Sequence, residues 1–424
     1  MLFWKKESSL MSGRSPAVLF KSIILIYLLI NSPFQVWAKK DQNWRQASSF
    51  EPAALLTLFS ASASPADLSL NDLARLVSGW PTGQPALKTI EEDQAWIKYR
   101  AFLDNAWQQL ENKQLSLIET WSKSELSGEK EKTDFLFYPF GGPDFITVLA
   151  FFPQATTYLL VGLEPPGFLP SLSDLKKKTL EPYFDELQTI LADYFQKGYF
   201  ITREMNDELD PRKINGVLPL VCLFLERTNH SLSSLKRVEF DEEGQIIESD
   251  YTVPRQRIKR PVGFKLSCVQ KETGKNQTVY YISCDLSDER FDPQAKFYLY
   301  LSRFNHWSCL IKSASYLLHL PNFHYIREMI LDKSQLILQD DTGIPFKYLQ
   351  SGKWEVKLYG RYASPVKDFS YIEQKELQAA YENKGQVKPL PFHFGYHWRS
   401  HLDNLIIAAK TDPADTRSNK INKK

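Results

Sequence analysis

The residues best placed to do chemistry close the run KSASYLLHLPNFHYIREMILDKSQLILQDDTGIPF, residues 312–346. Asp340 and Asp341 follow an apolar stretch with strand character and sit in a turn completed by Thr342-Gly343. Adjacent carboxylates can share a proton, act as general acid and base, hold a cation or bind a sugar. Asp341-Thr342-Gly343 also spells the triplet of an aspartic protease. A pepsin-like enzyme needs a second triplet, the sequence has none, and Ile344-Pro345 follows where a small residue is usual. Lys312, Ser315 and His319 lie earlier in the run, on residues that read as a strand, with Ser315 and His319 on one side of it. A Ser–His–Asp set with Asp341 can be drawn, but a serine inside a strand, without a G-x-S-x-G elbow, is poorly exposed for attack. His393, His397 and His401 recur at steps of four before Asp403. Such spacing can hold a metal, yet Gly395 and the surrounding aromatics read as a loop with incidental histidines. No metal is assigned, and with no P-loop, G-x-G-x-x-G or H-E-x-x-H in the chain no cofactor is assigned either.

A second stretch, residues 135–167 (FLFYPFGGPDFITVLAFFPQATTYLLVGLEPPG), follows the same plan. An offset of 178 residues lays Tyr138 on Tyr316, Pro143 on Pro321, Asp144 on Asn322 and Phe145 on Phe323. Both stretches read strand, Pro-Asx-Phe, helix, strand, acid, Pro/Gly turn, which suggests two βαβ-like units. On that alignment Glu164 and Asp340/Asp341 leave the sheet at matching strand ends. They form the candidate catalytic set, with Tyr138, Asp144, Lys312, Ser315 and His319 as candidate binding residues. Solvated turn acids are the simpler alternative.

The elements around these stretches mix helices, hairpins and crossovers. Residues 39–133 read as a helical N-terminal region, with helices at 53–59 and 70–77 and a longer one from 91 to about 121, where Trp96, Tyr99, Leu103, Ala106 and Leu110 share a face. Residues 134–409 read as the main domain and 410–424 as a polar, disordered tail. Helices are indicated at 179–197, 202–209, 214–226 (kinked at Pro219) and 371–381, and a hairpin turns through Asp241–Gly244. Residues 389–398 and 405–408 read as closing strands. The fold class is therefore α+β: a mixed sheet, duplicated βαβ-like units and a helical N-terminal layer.

Composition bounds the partners. The chain has 424 residues, 43% hydrophobic and 24% charged, with a net charge of +2. That is a globular balance which argues against a nucleic-acid groove. Residues 1–38 read as a secretory signal peptide: Lys5, Lys6, Arg14 and Lys21 precede an apolar run at 22–30, and Val36-Trp37-Ala38 offers a cleavage site, with Met1 or Met11 as the start. No stable transmembrane segment is expected once the leader is removed. Export makes a disulfide between Cys268 and Cys284, on the two arms of a hairpin, a candidate.

The runs FYPFGGPDF…YLLVGLEPPG and KSASYLLH…LQDDTGIPF, with LYGRY and LPFHFGY downstream, are similar to those of a family of exported bacterial proteins, mostly uncharacterised or described as lipoproteins. The resemblance covers about residues 135–409. It implies export and one continuous domain, and it brings no assigned activity. This chain lacks a lipobox cysteine near Ala38. Together these features point to a periplasmic or secreted protein of the cell envelope that binds a ligand or protein without catalysis. The alternative is an envelope hydrolase acting on glycan or peptide through Glu164 and Asp340/Asp341. A concave pocket at the acids would mark the enzyme, and clustered exposed Trp and Tyr the binding protein.

Overall fold

The computed structural model describes residues 68–128, 133–172, 174–175, 179–200, 214–251, 263–383, 385–399 and 402–411. The leader, the helices read at 53–59 and 202–209, His401 and residues 412–424 of the tail lie outside them, while Lys410 belongs to a strand. In chain order the main helices are α1 (Leu70–Val77), α2 (Gln94–Leu110), α3 (Ser116–Glu125), α4 (Phe145–Phe151), α5 (Leu180–Lys197), α6 (Leu218–Arg227), α7 (Lys296–Ser302), α8 (His324–Lys333) and α9 (Lys375–Glu382). The strands are β1 (Phe135–Tyr138), β2 (Thr157–Gly162), β3 (His230–Phe240), β4 (Ile246–Asp250), β5 (Gly263–Gln270), β6 (Asn276–Ser283), β7 (Trp307–Ile311), β8 (Ser334–Gln339), β9 (Trp354–Gly360), β10 (Val387–Lys388) and β11 (Asn404–Lys410).

All eleven strands join in one mixed sheet of order β10-β9-β11-β8-β7-β1-β2-β6-β5-β3-β4. Its centre is parallel: β6, β2, β1, β7 and β8 run the same way. Strand β11 runs against both β8 and β9. The hairpins β3–β4 and β5–β6 extend one end of the sheet. The central strands are apolar on both sides, as strands covered by helices on both faces must be. Leu136, Tyr138, Tyr158, Leu160, Leu310 and Leu338 face the helices α1–α6. Phe137, Leu159, Cys309, Ile311 and Ile337 face α7–α9.

The helices of residues 70–125 cover one face of the sheet and share its core. Ser69 caps α1 through a reciprocal capping box with Asp72. Trp96 and Tyr99, buried on the expected α2 stripe, donate to the Leu76 and Val77 carbonyls that end α1. Between α2 and α3 the chain makes one π turn, Glu111–Leu115.

Several local expectations are corrected. Residues 312–320 do not form a strand; β7 ends at Ile311, and Ser313, Ser315 and Tyr316 adopt left-handed φ of 53°, 50° and 53°. Strand geometry is impossible there for these residues. Pro219 sits in the first turn of α6, where its missing N–H costs nothing, and does not kink it. The 389–398 stretch is a loop ending in a 3₁₀ turn. The Cys268–Cys284 disulfide is absent: both cysteines are free, as are Cys222 and Cys309. The hairpin does form, but its register puts Cys268 opposite Gln277. Cys284 lies seven residues further along, roughly 23 Å away at strand rise, which no disulfide spans.

Candidate functional site at the strand switch point

β1 and β7 lie side by side, yet their crossovers leave in opposite directions: β1 passes through α4 to β2, and β7 through α8 to β8. Right-handed crossovers leaving in opposite directions must place their helices on opposite faces. They do: Phe145 and Val148 of α4 belong to one core and Ile326 and Ile330 of α8 to the other. The carboxyl ends of β1 and β7 therefore flank a topological switch point, where open α/β sheets leave a crevice.

Backbone strain is concentrated there. Among the described residues five non-glycine positions have positive φ. Four of them, Phe140, Ser313, Ser315 and Tyr316, lie in the turns that follow β1 and β7. Asn229, a residue type that tolerates the left-handed region, is the fifth. Each strained residue costs on the order of 1–3 kcal/mol and survives where surrounding contacts over-determine it, commonly at functional sites.

Three polar clusters line this edge of the sheet. The first ties the two turns together. Lys312 Nζ, just past β7, lies 2.6 Å from Asp144 Oδ2 and donates to Thr147 Oγ1 (2.8 Å) and to the Gly198 carbonyl that ends α5 (2.7 Å). Asp144 is the N-cap of α4 and also accepts from the Tyr138 and Tyr194 hydroxyls at 3.0 and 2.7 Å. All of these side chains are buried. Burial first, then the charge of Asp144, raises the phenols of Tyr138 and Tyr194 well above their usual range, so both act as donors.

The second cluster surrounds the glycine turn after β1. Glu164, two residues beyond β2, is buried, and its carboxylate leans over Gly142 and Gly162. A Cβ on Gly162 would enter that carboxylate and stand 2.8 Å from both the Gly142 Cα and the Tyr281 hydroxyl. Tyr281 donates to the Glu164 carbonyl at 2.8 Å, with Oε2 at 3.4 Å. The neighbouring Leu163 is 41% exposed, an apolar platform beside a buried acid.

The third cluster holds the paired aspartates, which are not solvated turn acids: Asp340 and Asp341 are 0% and 1% exposed. Asp340 accepts the Ser313 N–H (2.9 Å), the Thr342 N–H (3.0 Å) and the Thr342 hydroxyl. Thr342 Oγ1 accepts in turn from the Ala314 N–H (2.7 Å). These bonds hold the left-handed loop. Asp341 accepts from the Tyr316 hydroxyl and from Asn404 Nδ2 (2.8 Å), with His397 Nε2 3.4 Å away. Burial, then the Asp341 charge, pushes the Asp340 carboxyl up to about 7. Burial pushes His319 down to about 4. Burial would also lower His397, but the bond to Asp341 and the nearby carboxylates outweigh it and raise it. Among the described residues Ser313 Oγ, His319 Nε2, Tyr362 Oη and Asn404 Oδ1 are buried atoms without a hydrogen-bond partner.

The structure thus unites Tyr138, Asp144 and Lys312, and separately gathers Asp340, Asp341 and His319. Ser315 points elsewhere, its Oγ 2.9 Å from the Tyr396 hydroxyl, so no Ser–His–Asp set forms. Glu164 does not pair with the aspartates. Their strands stand three spacings apart, about 14 Å, with the Lys312–Asp144 bridge between. The strand ends do not match as the alignment implied. Phe137 lies beside Cys309, an offset of 172 residues, while Leu159 and Ile337 share a level at 178. At 178, Asp340 falls on Gly162 and Glu164 on Thr342. The histidines diverge too: His393 Nδ1 lies 2.9 Å from Asp403 Oδ2, whereas His397 reaches Asp341. Among the described residues no group of three His, Cys, Asp or Glu side chains is placed to hold a metal, and no helix is long and apolar enough to cross a membrane. Sequence reasoning missed Tyr316, Asn404 and Gly395 as parts of the aspartate cluster; the Tyr138–Tyr316 correspondence was the one available hint. The chain matches no family model, no curated protein and no solved structure.

Proposed function

We propose that the protein binds a ribonucleoside in the crevice at the β1/β7 switch point, and that the nucleoside carries a cationic rather than a phosphorylated 5′ substituent. The observation that carries this reading is strand order. Numbered along the chain, the segment β6-β2-β1-β7-β8-β11-β9 is 3-2-1-4-5-7-6. It is the 3-2-1-4-5-6 order of doubly wound nucleotide-binding sheets, with antiparallel β11 inserted. The likeness is one of topology, and function must come from the site. In such sheets a glycine turn follows the first strand, and an acid about 20 residues on bonds the ribose hydroxyls. Here Gly141-Gly142 follows β1, and Glu164 comes 22 residues after Gly142.

Electrostatics selects the ligand. A pyrophosphate would need the open N-terminus of α4, but the Asp144 carboxylate already caps it. Glu164, Asp144 and Asp341 outnumber the buried Lys312, so the edge favours positive charge. A sulfonium nucleoside such as S-adenosylmethionine fits both conditions, and the reaction class it supports is methyl transfer to a nucleophile. The acid-pair hydrolase gains no support from carboxylates held three strands apart.

Calorimetric titration tests the reading. S-adenosylmethionine and S-adenosylhomocysteine should bind, ATP and NAD should not, and Glu164→Gln should weaken binding roughly tenfold, the worth of one hydrogen bond to a charged group. Preference for ATP or NAD, or no binding of either sulfur nucleoside, would overturn it. We also propose that residues 1–38 are a leader removed after Ala38, placing the protein in the cell envelope. N-terminal sequencing of protein from the native host should begin at Lys39; an intact residue 1 or 11 terminus would refute this.

A further inference from the structure

We propose a second ligand site, for a small organic anion, at the far end of the same sheet edge. β9 is parallel to the central strands, so its end at Gly360 opens on the same side as the switch point. It lies four strand spacings from β1, about 19 Å away. A cleft of about 360 Å³ opens there, lined by Lys113, Arg361, Pro389, Leu390, Phe392 and Asp403 among others. That volume is at the lower end of small-molecule sites.

The charges in the cleft are unbalanced. Its acid, Asp403, is already committed: Oδ1 accepts the Phe394 N–H at 3.0 Å, and Oδ2 lies 2.9 Å from His393 Nδ1. Arg361 is fixed through its backbone, its N–H donating to the Asp403 carbonyl at 2.8 Å. Its guanidinium has no ion-pair partner among the described residues. Neither has the Lys113 ammonium, which among the described residues reaches Gln109 Oε1 at 3.5 Å. Two cations outside any ion pair among the described residues thus share the cleft with one hydrogen-bonded carboxylate and a wall of proline, leucine and phenylalanine.

Lys113 is placed by an uncommon device. It lies in the π turn Glu111–Leu115, a conformation that is rare and recurs at functional sites. The next residue, Gln114, clamps this turn to the opposite wall: its amide donates to the His393 carbonyl and accepts the His393 N–H at 3.2 Å. The turn thus holds the Lys113 backbone beside the cleft that Arg361 also lines. A planar guanidinium fork with a mobile ammonium suits a carboxylate or a phosphate, and the apolar wall suits a ring or short chain attached to it. The inference stands apart from the nucleoside reading, since it uses none of the same residues.

The test is ligand-observed NMR titration of the full chain at low salt with phenyl phosphate, benzoate and benzyl alcohol. At least one of the two anions should bind saturably, and benzyl alcohol, which lacks the charge, should bind far more weakly. Tighter phenyl phosphate assigns a phosphate monoester; tighter benzoate assigns a carboxylate. Arg361→Gln should weaken the preferred anion roughly tenfold and Lys113→Gln several-fold, with thermal melting unchanged because both side chains are exposed. Absence of saturation by either anion below about 10 mM, equal binding of benzyl alcohol, or unaltered binding in Arg361→Gln would each overturn the proposal.

Discussion

Replacing Lys312 by Met isolates the strut that joins the two strained turns. The methionine keeps length and apolar volume but removes the cation from Asp144, whose side chain is 3% exposed. Tyr138, Tyr194 and Thr147 still donate to the carboxylate, so it keeps hydrogen bonds while losing its counter-charge. Breaking one side of a buried pair costs about 3–5 kcal/mol, because the survivor stays buried and uncompensated. Lys312→Met also frees the Gly198 carbonyl at the end of α5, which adds roughly 1 kcal/mol. Asp144→Asn should cost about as much, by stranding the ammonium instead. The double variant should cost less than either single one, since two neutral groups replace two charges. That sets the coupling at several kcal/mol, a large fraction of a typical 5–15 kcal/mol stability. Urea unfolding followed by tryptophan fluorescence reads the difference, with buried Trp96, Trp121 and Trp307 as reporters. The exposed Lys88–Glu92 pair serves as the control and should contribute under about 0.5 kcal/mol. Single variants costing under about 1 kcal/mol, or a double variant costing the sum of the two, would refute the argument that this pair is a desolvated strut.

Stability should also report the titration of the aspartate cluster. Asp340, raised from 3.8 to about 7, keeps a proton in the folded chain that the unfolded chain releases, so its contribution falls as pH rises across that window. His319, lowered from 6.5 to about 4, acts oppositely, adding stability as pH rises over its own window. The two offset each other below about 6.5. Above that pH the fall through Asp340 remains, and the raised His397 adds to it. Urea midpoints should therefore drop between about pH 6.5 and 8 in the wild type and flatten in Asp340→Asn; an unchanged slope would refute the assignment. Gly162→Ala should destabilise by more than about 2 kcal/mol, because its Cβ meets the Glu164 carboxylate and the Gly142 backbone; a urea midpoint within error of wild type would contradict that. All four thiols should titrate with a thiol reagent after denaturation without reductant, and Cys222, Cys268 and Cys309 should be protected in the native chain. A count of two would restore the hairpin disulfide.

What the sequence made legible follows from local rules. The apolar stripe of α2, the hairpins β3–β4 and β5–β6 and the crossover through α8 to β8 rest on periodicity, and periodicity carried them. The loop after β7 was misread because LIKSASYLL alternates well enough to pass for a strand. What ends the strand is distant: the Asp340 carboxylate and the Thr342 hydroxyl capture the Ser313 and Ala314 N–H groups. The acids likewise looked like exposed turn residues, since sequence shows their type but not that Gly395, His397 and Asn404 come to lie against them. Tyr316, His397 and Asn404 reach Asp341 from 25, 56 and 63 residues away, separations no motif encodes.

The two βαβ units also differ in what fills their strand ends. At the common level the first unit has Gly162 and the second has Asp340. Glycine leaves a hollow, and the first unit fills it with its own Glu164 carboxylate. The second unit puts a carboxylate into the hollow directly and must then make room for it. Gly395, at φ +82°, supplies that room, since a Cβ there would overlap the Asp340 side chain. The rest of the same loop seals the place with Tyr396, whose hydroxyl donates to the Ser313 carbonyl at 2.7 Å, and with His397. One end is thus a glycine cradle with an acid above it, the other an acid already enclosed by protein. On that logic Gly395→Ala should unfasten the loop and expose Asp340, destabilising the chain by about 2–3 kcal/mol while leaving S-adenosylmethionine binding at the first end unchanged. Loss of nucleoside binding in that variant would mean that the two ends act as one site.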